Sequence, residues 1–161
     1  MIRLSKLADY AVVLMAQMVA DDLATRHSAA GLSAATGIPT PTVSKILGAL
    51  ARSGLLVSHR GVSGGFALAR PPQEISVADV ITAVDGPIAV THCLTHGSPD
   101  NCDILDTCRM RGYWTRINGA IHEALGNITL VEVATPHPAT LARPAVRGAC
   151  HEGFSLEGAR P

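Results

Sequence analysis

Aromatic residues are nearly absent from this chain: one Trp, two Tyr and two Phe make up 3% of its 161 positions. Any core it builds must therefore be aliphatic. Charged residues are also scarce at 16%, but apolar residues reach 47%, too many for a chain that stays unfolded. There is no apolar run of the roughly 18 residues that cross a bilayer. The best candidate, Ala11 to Ala20, runs into Asp21 and Asp22. No small-residue cleavage site follows Met1-Ile2-Arg3-Leu4-Ser5-Lys6, so a secretory leader is not expected. These absences point to a cytoplasmic protein with no membrane partner, of a length that suits one compact domain plus an appendage. Net charge is lacking too, since 13 Lys and Arg offset 13 Asp and Glu. Taken over the whole chain, neutrality speaks against a nucleic-acid binder.

A local absence reverses that reading. Between Asp22 and Glu74 there is no Asp or Glu, while Arg26, Lys45, Arg52, Arg60 and Arg70 fall in the gap, with His27 and His59 besides. From Glu74 to Asp106 the pattern inverts, with Glu74, Asp79, Asp85, Asp100, Asp103 and Asp106 and no Lys or Arg. An acid-free basic block can serve as an electrostatic footprint for a phosphate backbone. It can equally be a solvated face, so charge alone leaves both readings open.

The punctuation predicts mostly helix. Leu7, Tyr10, Ala11, Leu14, Met15 and Met18 recur at the spacing of one helical face. Ser28 can cap a short second helix that Gly37 ends. After Ile38-Pro39-Thr40, a third helix is expected with Thr40 as N-cap and Pro41 first in the helix, running through Val43, Ile46, Leu47 and Leu50 to Gly54. The period then changes. Leu55-Leu56-Val57 and Phe66-Ala67-Leu68 read as short strands around the glycine-rich tip Arg60-Gly61-Val62-Ser63-Gly64-Gly65. Helix, turn, helix and β-hairpin make a winged helix. A fourth helix follows Ser76, with Asp79 completing a capping box and Ile75 with Val80 a hydrophobic staple. Gly86 to Asp103 has no period and reads as a long loop. A longer helix is expected over Thr107 to Gly126. Its stripe of Trp114, Ile117, Ile121, Ala124 and Leu125 needs a partner surface, either its own domain or a second subunit. From Pro136 the Ala/Pro/Arg/Gly-rich chain reads as a disordered tail.

In a helix-turn-helix the first residues of the second helix reach base edges in the major groove. Here these are Thr40, Thr42, Ser44 and Lys45. Arg60 and Ser63 at the hairpin tip suit a minor groove, and Arg52 and Arg70 suit the DNA backbone. The four cysteines are not a disulfide framework in a cytosolic chain. Cys93, Cys102 and Cys108 follow C-x8-C-x5-C across the long loop, matching no helix or strand period, while Cys150 in the tail reads as a bystander. Thiolates gathered on a loop suit a soft metal or an iron–sulfur cluster, although the spacing matches neither a zinc ribbon nor a ferredoxin. His92 and His96 are candidate fourth ligands. Asp100, Asp103 and Asp106 interleave with the thiols, whereas a nucleophilic cysteine wants an electropositive setting. That argues for a metallosensor and against an enzyme or a small-molecule substrate.

With these pieces placed, the chain resembles the Rrf-two family of bacterial winged-helix regulators over residues 1–133. The resemblance is carried by Arg3 to Ala11, by Ser53-Gly54-Leu55-Leu56-Val57 and above all by the wing Arg60 to Arg70. Ile75 to Ile81 and the three cysteines follow. His27-Ser28-Ala29-Ala30, Pro41 to Lys45, Gly86-Pro87-Ile88-Ala89 and Arg111 to Asn118 are similar to the subgroup regulating the SUF iron–sulfur assembly system. The resemblance implies a homodimer that crosses its long helices on a partly palindromic double-stranded DNA operator. It also implies an iron–sulfur cluster (2Fe–2S or 4Fe–4S) on Cys93, Cys102 and Cys108. In the nitric-oxide-sensing members an aspartate of the other subunit completes the coordination, and Asp9 is the matching residue. The biogenesis regulators use a histidine where this chain has Arg111, which cannot ligate. Two departures stand out: the first cysteine gap is wider than in the best-known members, and Ser44 replaces a glutamate of the biogenesis regulator.

The expected architecture is mainly α with a small β-hairpin wing, a winged helix-turn-helix plus a long C-terminal dimerisation helix. Residues 1–85 would form the DNA-binding domain, 86–108 the cluster-binding loop, 109–133 the dimerisation helix and end segment, and 134–161 the disordered tail. The expected function is a transcription repressor that senses cluster or redox status and controls iron–sulfur assembly genes. A winged-helix regulator with a structural or sensory zinc site, and a nitric-oxide-responsive repressor, are the alternatives.

Overall fold

The Ser5 hydroxyl accepts from the Ala8 amide at 3.0 Å and opens α1 (Lys6–Ala20), satisfying one of the amide donors that a helix start leaves without a partner. The computed structural model describes residues 3–21, 25–61, 64–91, 94 and 107–135. On α1 the buried residues are Ala8, Ala11, Leu14, Met15 and Met18, with Leu7 and Tyr10 half-buried at the margin of the stripe. Ser28 caps α2 (Ala29–Thr36) by accepting from the Gly31 amide, and Gly37 ends it in the left-handed conformation.

Thr40 does not cap the next helix as expected. Pro39 holds the N-cap position of α3 (Thr40–Arg52), and its carbonyl accepts from the Thr42 and Val43 amides at 2.9 and 3.0 Å. That frees the Thr40 hydroxyl to donate to Ser33 Oγ at 3.0 Å, while the Ser33 hydroxyl donates to the Ile38 carbonyl at 2.7 Å. Hydroxyls thus lace the turn between α2 and α3 and fix the angle at which one helix leaves the other. The far end of α3 closes in a Schellman motif: Leu55 N–H bonds the Leu50 carbonyl and Gly54 N–H the Ala51 carbonyl. Gly54 sits at φ +78°, where a side chain would be strained.

The hairpin pairs β1 (Leu56–His59) antiparallel with β2 (Gly65–Leu68), in the register Leu56↔Leu68 and His59↔Gly65. A third short piece completes the sheet. His27 exchanges two backbone hydrogen bonds of 2.9 Å with Phe66, tying the segment before α2 to the wing. This approach is close enough that a Cβ on Gly65 would lie 2.9 Å from the His27 carbonyl oxygen. After a turn of 3-10 helix (Pro72–Glu74), α4 (Val77–Asp85) begins with the expected capping box of Ser76 and Asp79, and Ile75 and Val80 are both fully buried.

The long helix starts four residues later than expected. It is α5 (Arg111–Gly126), entered through Met110 with no side-chain cap. A short helix that the sequence does not announce, α6 (Leu130–Ala134), follows with a Thr129–Glu132 capping box. The Glu132 carboxylate is held below its usual range, first by the Thr129 backbone N–H and then by the Thr129 hydroxyl. A depressed folded-state value means that the cap contributes fully above the ordinary carboxylate range and is lost as pH falls below that range through the lowered value. Leu130 is fully buried in the same cluster as Leu14, Met15, Ile46, Leu47, Leu50 and Ile75. Backbone bonds from Leu130 N to Ile75 O and from Val77 N to Ile128 O stitch this segment to the start of α4. The core of the N-terminal body therefore draws on residues well past position 85, and it is aliphatic as the composition requires. Pro136 to Pro161, expected as a tail, lie outside the described residues, as do Cys93, Cys102 and most of the loop between them.

Leu130→Ala would leave a cavity where α6 meets the core. We expect a loss of about 3 kcal/mol, within the range for a fully buried leucine, read as a lower midpoint with unchanged slope in urea unfolding.

Candidate nucleic-acid interface

One face of α3 is fully used by the core. Val43, Ile46, Leu47 and Leu50 are at most 1% exposed, at the i, i+3, i+4, i+7 positions of one stripe. That burial fixes the roll of the helix and sends Ser44, Lys45 and Arg52 to the outside, where all three are exposed. Thr42 is half-buried, and Thr40 is exposed but gives its hydroxyl to Ser33. Arg52 lies in the last turn of α3, where a cation complements the helix dipole. Its guanidinium Nη1 folds back to 3.4 Å from the place a Gly48 side chain would start.

Arg60 is exposed at the end of β1, next to Gly61 in a left-handed conformation. The tip turns tightly, with Gly64 N–H bonded to the Gly61 carbonyl at 2.9 Å. A Cβ on Gly64 would fall 2.5 Å from the His59 carbonyl, so the tip tolerates no side chain there. Arg70 is exposed just past β2, and Ser63 lies outside the described residues. His27 does not join this basic face. It is 8% exposed, and its Nδ1 faces Asp21 Oδ2 at 3.5 Å. Asp21 also accepts from Gln17 Nε2 at 3.0 Å, so this acid ahead of the basic block is already engaged.

The cysteine region meets the fold at two described points. Cys108 is a half-buried free thiol three residues before α5. On α5, Asn118 clamps the start of the loop: its Nδ2 donates to the Ile88 carbonyl at 2.9 Å, and its Oδ1 accepts from Val90 N–H at 3.2 Å. The flank ahead of Cys93 is thereby held to α5, and the flank after Cys108 runs into the start of the same helix. Sequence reasoning included Asn118 only in the Arg111 to Asn118 segment and gave it no structural role, although a polar residue on the stripe Trp114–Ile121–Leu125 is a visible signal. It also missed the Ser5 hydroxyl donating to Asp85 Oδ1 at 2.7 Å, which joins the start of α1 to the residue where the loop begins. Asp9 is exposed in the first turn of α1. Among the described residues no group of three His, Cys, Asp or Glu could hold a metal ion. His92 and His96 are outside them with Cys93 and Cys102. No described helix is long and apolar enough to cross a membrane.

Helix-turn-helix plus a three-piece wing, with hydroxyls and cations on the outer face of the second helix and at the hairpin tip, define a winged-helix DNA-binding protein. The family model for Rrf2, iron-dependent transcriptional regulators, matches residues 4–136, and the chain belongs to that family. An HTH-type transcriptional regulator of Mycobacterium tuberculosis is 36% identical over 82% of this chain and 81% of its own length. The HTH-type transcriptional regulator IscR of Serratia proteamaculans is 31% identical over 81% and 78%. The solved structure of CymR, the global cysteine regulator of B. subtilis, superposes with a TM-score of 0.65 at 25% identity, covering 83% of this chain and 97% of that one. The protein is thus a DNA-binding transcriptional regulator and not an enzyme.

Arg60→Ala should weaken DNA binding and flatten its dependence on salt, because a cation entering a groove walled by phosphates displaces condensed counterions, at about −0.9 in log K against log salt for each phosphate charge neutralised. Fluorescence anisotropy titrations between low and moderate salt check this, and an unchanged slope would remove Arg60 from the interface.

Proposed function

We propose that the protein is a dimeric repressor that reads iron–sulfur cluster or redox status through Cys93, Cys102 and Cys108 and controls iron–sulfur assembly genes. The observation that carries this reading is the Asn118 clamp. It holds Ile88 and Val90, just ahead of Cys93, against the helix that starts three residues after Cys108. A loop that enters from residues bound to a helix and leaves into the start of that same helix has less chain to confine, which lowers the entropic cost of gathering its thiols around one centre. Thiolate donors suit iron or an iron–sulfur cluster, in keeping with the iron-dependent description of the family and the IscR relative. Cys93, Cys102 and Cys108 would hold the cluster, with Asp9 of a second subunit, His92 or His96 as the fourth ligand. When bound, the cluster would supply redox sensitivity and a covalent tie across the loop.

The rest follows from this chain's own residues. Thr40, Thr42, Ser44 and Lys45 would face the major groove, Arg60 and Ser63 the minor groove, and Arg52 and Arg70 the backbone. Residues 1–85 would supply this surface, 86–108 the sensing loop, 109–133 the dimer contact and the segment closing it, and 134–161 an appended tail. A dimer seam is supported by the outer face of α5, where Tyr113 is 62% and Ile117 39% exposed beside Met110 at 42%. An apolar stripe at helical spacing on an unburied face is what a partner helix would cover. A centre bound at the three cysteines would change what Asn118 and the Ser5–Asp85 contact hold. Through them, a differential stabilisation of about 1–3 kcal/mol between two dimer geometries would shift operator affinity about 5- to 150-fold.

Two outcomes are expected. Anaerobically reconstituted protein should bind iron and show broad visible sulfur-to-iron absorption that Cys→Ser at 93, 102 or 108 abolishes. A colourless protein without iron would defeat the cluster reading, and stoichiometric zinc would favour a zinc site in its place. Ile117→Glu should convert a dimer to a monomer in sedimentation equilibrium; a variant that remains dimeric would move the seam off α5.

A further inference from the structure

A shallow cavity of about 270 Å³ opens between the start of α1 and the start of α3, lined by Lys6, Leu7, Tyr10, Pro39 and Thr42. Lys6 is exposed at its edge, while Tyr10 is half-buried and packs against the main core. The Lys6 ammonium lies 5.5 Å from the centroid of the Tyr10 ring, a distance at which the ring face attracts a cation. The two residues are one helical turn apart, so the pair is local to α1 and needs no other element to bring it together. Lysine is otherwise a long and freely rotating side chain. Restrained over a ring that is itself anchored in the core, it gives up less freedom when it meets a ligand.

We infer that Lys6 contacts a DNA phosphate next to the first turn of α3, held ready by Tyr10 as a positioning residue. The inference rests on the reading of α3 as the helix that faces the bases. In that arrangement the end of α3 bearing Pro39 and Thr42 enters the groove, and the groove is bordered by phosphates. Lys6 shares a cavity with those two residues and belongs to a different helix, so the backbone is the anion it meets. A compact ammonium neutralises a phosphate without the planar geometry that base edges demand. Such a contact carries no sequence information and strengthens binding to every duplex alike. It also extends the DNA-facing surface beyond the acid-free block, onto the residue adjoining the Ser5–Asp85 bond.

The test is a salt-dependent titration of the full chain against a promoter fragment selected by the wild-type protein and against a scrambled duplex of equal length. Lys6→Ala should weaken binding to both by about eightfold for each bound subunit at 0.1 M salt, the factor that a slope of −0.9 accumulates between 1 M and 0.1 M. The slope itself should fall by about 0.9 for each bound subunit. Lys6→Arg and Tyr10→Phe, which keep the charge and the ring, should behave as wild type. Weaker binding of Lys6→Ala with an unchanged salt slope would overturn the inference, since it would mean a structural role. Wild-type binding by Lys6→Ala while Lys45→Ala and Arg60→Ala are impaired would overturn it alone. Wild-type binding by all three would overturn it together with the assignment of α3 as the reading helix.

Discussion

Val43, Ile46, Leu47 and Leu50 disappear almost completely into the core, and α3 can rotate about its axis only by exposing them. Each such side chain returned to water costs about 1.5–3 kcal/mol, so the roll of the helix is set by far more than any polar contact could supply. The opposite face is then committed to solvent whatever its residues are, and Ser44, Lys45 and Arg52 are what it carries. Around this one constraint the rest is arranged. The Ser33–Thr40 and Ser33–Ile38 bonds fix the angle to α2, the Schellman turn directs the chain into β1, and His27 ties the wing back to the helices. Leu130 plugs the same core from the other end of the domain.

Charge follows the same division of labour. The neutral total hides an acid-free stretch that forms α2, α3 and the wing, followed by a stretch without Lys or Arg that leads into the cysteines. Asp21, shortly before the first stretch, is occupied by His27 and Gln17. A phosphate approaching α3 and the hairpin therefore meets cations at Lys45 and Arg60 with no carboxylate contributed by the same segment. The acid-rich stretch is where a bound cation would be least opposed by like charge.

Much of this is legible in the sequence. The apolar stripes of α1, α3 and α4 obey the helical period, Ser28, Ser76 and Asp79 are caps of the expected kind, and glycine at 61, 64 and 65 announces the hairpin tip. What escaped did so for physical reasons. Thr40 looked like a cap because hydroxyls usually are, but a carbonyl on Pro39 can accept two amides and release it. The five residues of α6 are too short for a period, and its existence depends on the buried Leu130, a long-range contact with no local signature. The roles of Asn118, Ser5 and Lys6 depend on which elements pack together. Residue type alone singles out Lys45 and Arg60 as candidates, and both are exposed, because a cation in an acid-free segment needs no tertiary partner to be noticed.

The proposed sensing requires that the cysteine segment and the surface proposed to face DNA share a mechanical connection. The structure offers a short one: Asn118 grips the loop at Ile88 and Val90, α5 rests on α4 through the Ala8–Val77–Ile81 cluster that Leu125 joins, and Asp85 accepts the hydroxyl of Ser5 at the start of α1. The decisive measurement is the affinity of one promoter fragment for the same preparation with its cysteine segment loaded and stripped, taken anaerobically at one salt concentration. The account predicts affinities that differ at least about fivefold, the lower end of typical allosteric coupling. Equal affinities for the two forms would contradict it.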